Sequence, residues 1–282
     1  MPTSFDYNDI VAQYSPAEML GEGGQKVVFS IQHPEHGSCV LKIGVYKNRS
    51  SLERIRREVE ILRQITSPYY PRQFGFEVVD NQRFYVLEER IEGQPLSNAM
   101  QRFATVESAT RLVLELVEGL SVIWQSRITH RDVKPDNILI TPSGRPRIID
   151  LGIARIKDGS SLTHSLAPHG PCTPNYAAPE QLENRKHEIN HRADQFCLGI
   201  VYAQLLLEGS HPFDPQTVGA GDSIVDNILE GRWARQLFNF GVLSTTLPPL
   251  STMLEREPYQ RYRKPERLRS ALDGVLAGGG YG

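Results

Sequence analysis

Residues 130–140 read HRDVKPDNILI: Asp132, Lys134, Asp136 and Asn137 crowd together and run straight into an apolar segment. Two carboxylates, an amide and an ammonium at this spacing offer two kinds of chemistry. A carboxylate can take a proton from a hydroxyl, and carboxylate and amide oxygens can hold a hard cation. A polar loop entering a sheet would explain the same residues without chemistry, so the neighbouring segments decide.

Downstream, NILI and RIID flank TPSGRP, a turn containing Pro142, Ser143 and Gly144, which together read as a β-hairpin. With the turn centred between Ser143 and Gly144, Asn137 and Asp150 are expected opposite each other at the open end. Directly paired residues have Cα atoms roughly 4.5 to 5.5 Å apart. That would make a hard-oxygen pair suited to Mg²⁺, with Asp132 just upstream as a third group. Two groups on a metal and one orienting a hydroxyl are what phosphoryl transfer requires.

A second candidate lies near the start of the chain. In LGEGGQKVVF, Gly21 and Gly23 occupy the first two glycine positions of G-x-G-x-x-G, with Lys26 in the third and Val28 two residues later. Residues without a Cβ let backbone N–H groups approach a phosphate closely. A dinucleotide fingerprint would open a helix here. This loop continues into strand-like VVFSIQ instead, so it is expected to be a hairpin lid. Lys42, inside the alternating strand CVLKIG, needs a partner if it faces inward. On the helix expected after a serine cap in SSLERIRREVEILRQI, Leu52, Ile55, Val59, Ile61, Leu62 and Ile65 cover an arc of roughly 180°. Glu58 falls in the middle of that arc and Glu60 on the opposite side. A carboxylate on an apolar face is costly unless a cation meets it, so Glu58 is expected to pair with Lys42.

The elements that must position these groups fall into two halves. Residues 20–92 are mostly short β-rich runs: VVFSIQH, SCVLKIGVY, FGFEVVD and RFYVLEER. After EGQPL come long amphipathic stretches, VESATRLVLELVEGLSVIWQ, ADQFCLGIVYAQLLLEG and the region of LSTMLEREPYQRY. A β-rich small lobe and a larger α-rich lobe are expected, with a cleft between them as the ligand site. At 282 residues the chain can bury real cores, and Lys+Arg 31 against Asp+Glu 33 suggests neither nucleic-acid nor membrane-surface binding. Cys39, Cys172 and Cys197 are too few and too scattered for a disulfide framework or a metal pattern, which suits a cytoplasmic setting. No stretch reads as a secretion signal or a membrane span, so no membrane insertion is expected. The terminal AGGGYG reads as a flexible tail or the stub of a linker.

In order along the chain, GEGGQKVV, VLK, Glu58, HRDVKPDN, DLG at Asp150 to Gly152 and APE at Ala178 to Glu180 make it resemble a Hanks-type protein kinase domain of the serine/threonine class, over about residues 15 to 272. The texture of GEGGQKVVF and NYAAPEQL is closer to bacterial members. The resemblance implies an α+β, bilobal kinase-like fold. Its small N-terminal antiparallel β lobe has one key helix, and its larger C-terminal lobe is mainly α-helical. Residues 1–14 would be an extension, about 15–90 the N-lobe, about 88–94 the hinge, about 95–275 the C-lobe and 276–282 a Gly-rich tail.

It also implies roles. Gly21, Glu22, Gly23 and Val28 would cover ATP, and Lys42, fixed by Glu58, would hold its α and β phosphates. Backbone at Glu89 and Ile91 would meet adenine, while Asn137 and Asp150 would hold Mg²⁺, with Mn²⁺ able to substitute. Asp132 would orient the substrate hydroxyl, and Lys134 would contact the γ-phosphate. Lys134 and Thr173 point to serine/threonine rather than tyrosine specificity. Glu180 would pair with Arg261, and Asp194 would anchor the backbone near His130 and Arg131. Lys26 departs from the third glycine, Leu151 from the usual phenylalanine, and Glu88 occupies the gatekeeper position. Arg131 beside Asp132 suggests activation-loop phosphorylation, with Thr163 or Ser165 as the site. The expected partners are proteins with serine or threonine hydroxyls, and a regulatory partner or a missing sensor domain. A pseudokinase scaffold and a small-molecule kinase of related fold are the alternatives. Lys42, Asp132 and Asp150 speak against the first, and APE with Thr173 and Arg261 against the second.

Overall fold

The computed structural model describes residues 6–14, 16–23, 26–151, 173–239 and 241–278, excluding the side chains of Arg54, Glu58 and Val242. The described residues divide into two compact units, one reaching Glu92 and the other starting at Gly93.

The first unit begins with α1 (Asn8–Val11), followed by β1 (Ala17–Gly23), β2 (Lys26–His33), β3 (Gly37–Val45), α2 (Arg49–Gln64), β4 (Gln73–Val78) and β5 (Arg83–Glu89). The strands form one antiparallel sheet in the order β1-β2-β3-β5-β4. Because side chains alternate across a strand, Val27, Phe29, Ile31, Cys39, Leu41, Ile43 and Leu87 share one face and bury a common core. Ile10 enters that core at 1% exposure, and Tyr7 packs its ring on Phe29. Arg83 grips both oxygens of Asp9 at 2.7 and 2.9 Å, so the segment set apart by sequence as an extension is docked on the sheet. The opposite face carries Val28, Lys42 and Val86 in one paired row, with Glu88 in the next row of β5.

The serine cap expected for α2 is instead an asparagine cap. Asn48 accepts from the Ser51 N–H at 2.8 Å, while the Ser51 hydroxyl oxygen accepts from the Asn48 N–H at 3.0 Å. The helix therefore begins at Arg49, with Ser51 at its third position.

The second unit contains β6 (Gln94–Pro95), α3 (Val106–Gln125), β7 (Ile138–Ile140), β8 (Pro146–Ile148), α4 (Pro179–Leu182), α5 (His191–Leu206), α6 (Pro215–Val218), α7 (Ile224–Glu230), α8 (Leu247–Met253) and α9 (Pro265–Gly278). Every residue of α5 from Ala193 to Leu206 is buried, the polar Asp194, Gln195 and Gln204 included, so α5 forms the axis of this unit. Its Tyr202 hydroxyl shares a 2.6 Å hydrogen bond with Thr110 of α3. Two expectations change here. The stretch around LSTMLEREPYQRY is broken: α8 stops at Met253, and the Glu255 and Arg256 carbonyls accept from the Arg261 guanidinium instead of continuing a helix. The Gly-rich tail is helical through Gly278. Among the described residues no helix is long and apolar enough to cross a membrane.

Candidate active site

The loop after α3 is built on one buried carboxylate. Asp194, near the start of α5 and fully buried, accepts three N–H groups at 2.8 Å: Trp124 Nε1, the His130 backbone and the Arg131 backbone. Burial pushes its carboxyl above the ordinary aspartate range, while nearby His130 and the three donors oppose that rise. Arg131 adopts the left-handed conformation, φ 67°, which costs a non-glycine residue about 1–2 kcal/mol. Its N–H is held by Asp194 and its carbonyl accepts from Gln181 Nε2 at 2.9 Å, so the strained residue is fixed from both sides. The His130 ring is fully buried, and that burial lowers its pKa. Nδ1 accepts from the Asp132 N–H at 3.3 Å, and Nε2–H donates to the Ile149 carbonyl at 3.1 Å.

Held this way, Asp132 is 3% exposed and meets three of the groups singled out in the sequence. Its Oδ1 accepts from the Thr173 hydroxyl at 2.9 Å and the Thr173 N–H at 3.2 Å. Its Oδ2 accepts from Asn137 Nδ2 at 2.9 Å and lies 3.3 Å from Lys134 Nζ, which donates to Thr173 Oγ1 at 2.7 Å. Asn137 gives both amide hydrogens to Asp132, one to the carboxylate and one to the backbone carbonyl at 2.8 Å. That fixes its orientation and leaves Oδ1 as the atom suited to a hard cation. Asp136 belongs to the loop rather than the chemistry, since it accepts from the Ser97 hydroxyl at 2.7 Å.

The hairpin forms with a register one residue away from expectation. Ile138 faces Ile148 and Ile140 faces Pro146, so the Asn137 carbonyl accepts from the Ile149 N–H at 2.9 Å, not from Asp150. The cause is a three-residue loop: Thr141 N–H donates to the Arg145 carbonyl, and Gly144 takes the left-handed conformation at φ 84°. Asp150 follows in a left-handed turn of its own, φ 65°.

In the first unit, Lys42 forms an ion pair with Glu88. The Glu58 side chain, the partner expected from the helical arc, lies outside the described residues, as do Thr163 and Ser165. Gln73 Nε2 donates to the other Glu88 oxygen at 3.0 Å. Gly21, Glu22 and Gly23 lie on β1, paired with Val28, Val27 and Lys26 respectively, so β1 and β2 are adjacent antiparallel strands flanking residues 24–25. The Glu89 N–H donates to the Arg72 carbonyl at 2.9 Å. Gln181, Trp124 and Gln73 carried no sequence signal, because each acts through a contact made far along the chain.

Glu180 and Arg261 form a two-pronged pair at 2.7 and 3.0 Å with both side chains fully buried. The guanidinium stacks over Phe196 of α5, 4.7 Å from the ring centre, and donates to the Arg192 carbonyl. One side chain thus joins α4, α5 and the segment after α8. Nearby, Tyr176 donates to Gln204, and the His211 ring packs edge-on against Tyr176. His211 accepts from the Phe213 N–H at Nδ1 and donates from Nε2 to the Asn175 carbonyl, which makes it a neutral clasp on the turn after Thr173.

These contacts make two predictions. Arg261→Met should cost about 3–5 kcal/mol in urea unfolding, because it strands a buried carboxylate. Arg261→Met with Glu180→Leu should cost less than the sum of the two single changes. Burial lowers the His211 pKa to about 4, below its unfolded value of 6.5. The unfolded chain therefore binds the extra proton first as pH falls, so this stability is full above pH 6.5 and is lost on the way down to about 4. His211→Gln should flatten the stability–pH curve in that window.

A family model described as the protein kinase domain matches residues 14–271. A probable serine/threonine-protein kinase of Clostridium perfringens is 25% identical over 93% of this chain and 38% of its own length. A serine/threonine-protein kinase of Corynebacterium efficiens is 28% identical over 94% of this chain and 51% of its own length. The serine/threonine-protein kinase PknH of Mycobacterium bovis is 30% identical over 73% of this chain and 35% of its own length. The chain spans about half or less of each of these relatives. With the matched region covering nearly all of it, the chain belongs to the protein kinase domain family.

Proposed function

We propose that this chain is the phosphotransferase domain of a serine/threonine protein kinase, acting on serine or threonine hydroxyls of protein substrates and on itself. The observation that carries this reading is the closed set of contacts joining Asp132, Lys134, Asn137 and Thr173. It presents a buried carboxylate oriented through both oxygens, a cation beside it, and an amide oxygen left over for a metal. Mg·ATP would supply the phosphoryl group and the counter-charge for its transfer.

Asp132 would orient the incoming hydroxyl and take up its proton. Lys134 would stabilise charge developing on the transferred oxygens. Asn137 Oδ1 and the Asp150 carboxylate would ligate the metal, and Mn²⁺ could replace Mg²⁺. One amide and one carboxylate leave an octahedral ion needing water and phosphate oxygens, which suits a metal carried in with nucleotide. Lys42 would hold the α and β phosphates, beneath backbone at Gly21, Glu22 and Gly23. Val28 and backbone at Glu89 and Ile91 would meet adenine; since the Glu89 N–H is used by Arg72, its contact falls to the carbonyl. Thr173 would connect the hydroxyl-handling loop to the peptide-docking segment fixed by Glu180 and Arg261. A cytoplasmic setting, a kinase domain over about 15–275 and control by a partner or a further domain complete the proposal.

The test is transfer of labelled γ-phosphate from Mg·ATP to a generic basic protein, comparing the intact chain with Asp132→Asn. Label on serine or threonine should fall about 10²- to 10⁴-fold in the variant. Equal labelling by both proteins would remove Asp132 from the reaction.

A further inference from the structure

Lys42 and Glu88 face the same side of the sheet by register: Lys42 pairs with Val86 and Val40 with Glu88, which makes Lys42 and Glu88 diagonal neighbours on adjacent strands. Gln73 is directly opposite Glu88 on the next strand. The three side chains form one polar row across β3, β5 and β4, tied by the Lys42–Glu88 ion pair and the Gln73–Glu88 hydrogen bond. The row is nearly sealed, with the Lys42 and Glu88 side chains at 15% and 6% exposure. Gln73 Oε1 is buried without a hydrogen-bond partner among the described residues, so its amide is committed to Glu88 at the expense of its own oxygen. A buried ion pair is weak evidence for stability, since apolar residues of similar volume commonly do as well. A polar row at this position therefore calls for a functional account.

We propose that Glu88, braced by Gln73, is a positioning residue for Lys42 that sets nucleotide affinity from within the sheet. This rests on the reading of Lys42 as the phosphate-holding lysine. Lysine is a flexible point charge with many rotamers, and a carboxylate fixed by strand register restricts them before any ligand arrives. The charge of Glu88 thus acts on the phosphate end of the nucleotide through Lys42.

Two measurements on folded proteins, checked by melting, test this. In calorimetric titration with Mg·ATP, Glu88→Gln should weaken binding about tenfold and Gln73→Leu by about threefold, while the solvent-facing Glu60→Gln stays near wild type. In nucleotide-free protein, acylation of Lys42 by an N-hydroxysuccinimidyl ester, read by peptide mass spectrometry, should be several-fold faster in Glu88→Gln, because the amine is no longer held in the ion pair. Mg·ATP affinity within twofold of wild type in Glu88→Gln would overturn the proposal. Should wild type bind no Mg·ATP, the kinase reading itself fails and the acylation arm decides alone: faster labelling in Glu88→Gln supports the positioning role, and equal labelling overturns it.

Discussion

Much of the second unit depends on the buried carboxylate of Asp194. It stands on the central helix α5 and takes three N–H groups, one from a side chain of α3 and two from the loop that leads to Asp132. Charge-assisted hydrogen bonds of this kind contribute about 1.5–3 kcal/mol each. One of them holds the N–H of Arg131, whose left-handed conformation carries roughly 1–2 kcal/mol of strain. That strain has a use. The reversal at Arg131 sends its exposed side chain outward and the next residue, Asp132, inward, where Thr173, Lys134 and Asn137 meet it. Gln181 and His130 complete the support from two other directions.

The first unit solves the same problem by different means. A lysine in a strand has no loop to fix it, so its orientation comes from strand register, with Glu88 diagonal to Lys42 and Gln73 behind Glu88. In each unit a residue proposed to touch substrate is backed by a buried carboxylate, Asp194 behind the loop of Asp132 and Glu88 beside Lys42. These holding residues, Asp194 and Glu88, are the more deeply buried of each pair.

The candidate site residues stood out in the sequence because their types are unusual for their positions: a charged cluster ahead of an apolar run, and a lysine in an alternating strand. The β-rich and α-rich halves were legible from periodicity. What periodicity does not carry was lost. The hairpin register slipped by one because Pro142, Ser143 and Gly144 fit loops of two or three residues equally well, and only the Thr141–Arg145 pairing decides. The cap of α2 was placed on serine because Asn48 and Ser51 are both good caps and in fact cap each other. The Lys42–Glu88 pair escaped notice because it depends on strand order: β5 lies beside β3, and β4 is outermost. Asp194 stood out only through family resemblance, since an aspartate near a helix start is otherwise an ordinary charge at a helix N-terminus.

The central claim is that the Asp194 carboxylate holds the loop in the conformation that aims Asp132. The most direct measurement is hydrogen exchange at the His130 and Arg131 amides, with phosphoryl transfer in parallel, for the wild-type chain and Asp194→Asn. Asparagine keeps the shape but replaces one acceptor oxygen with a donor. The account predicts that both amides are strongly protected in the wild type, exchange at least about a hundredfold faster in the variant, and that transfer falls with them. Unchanged protection together with unchanged transfer would contradict it.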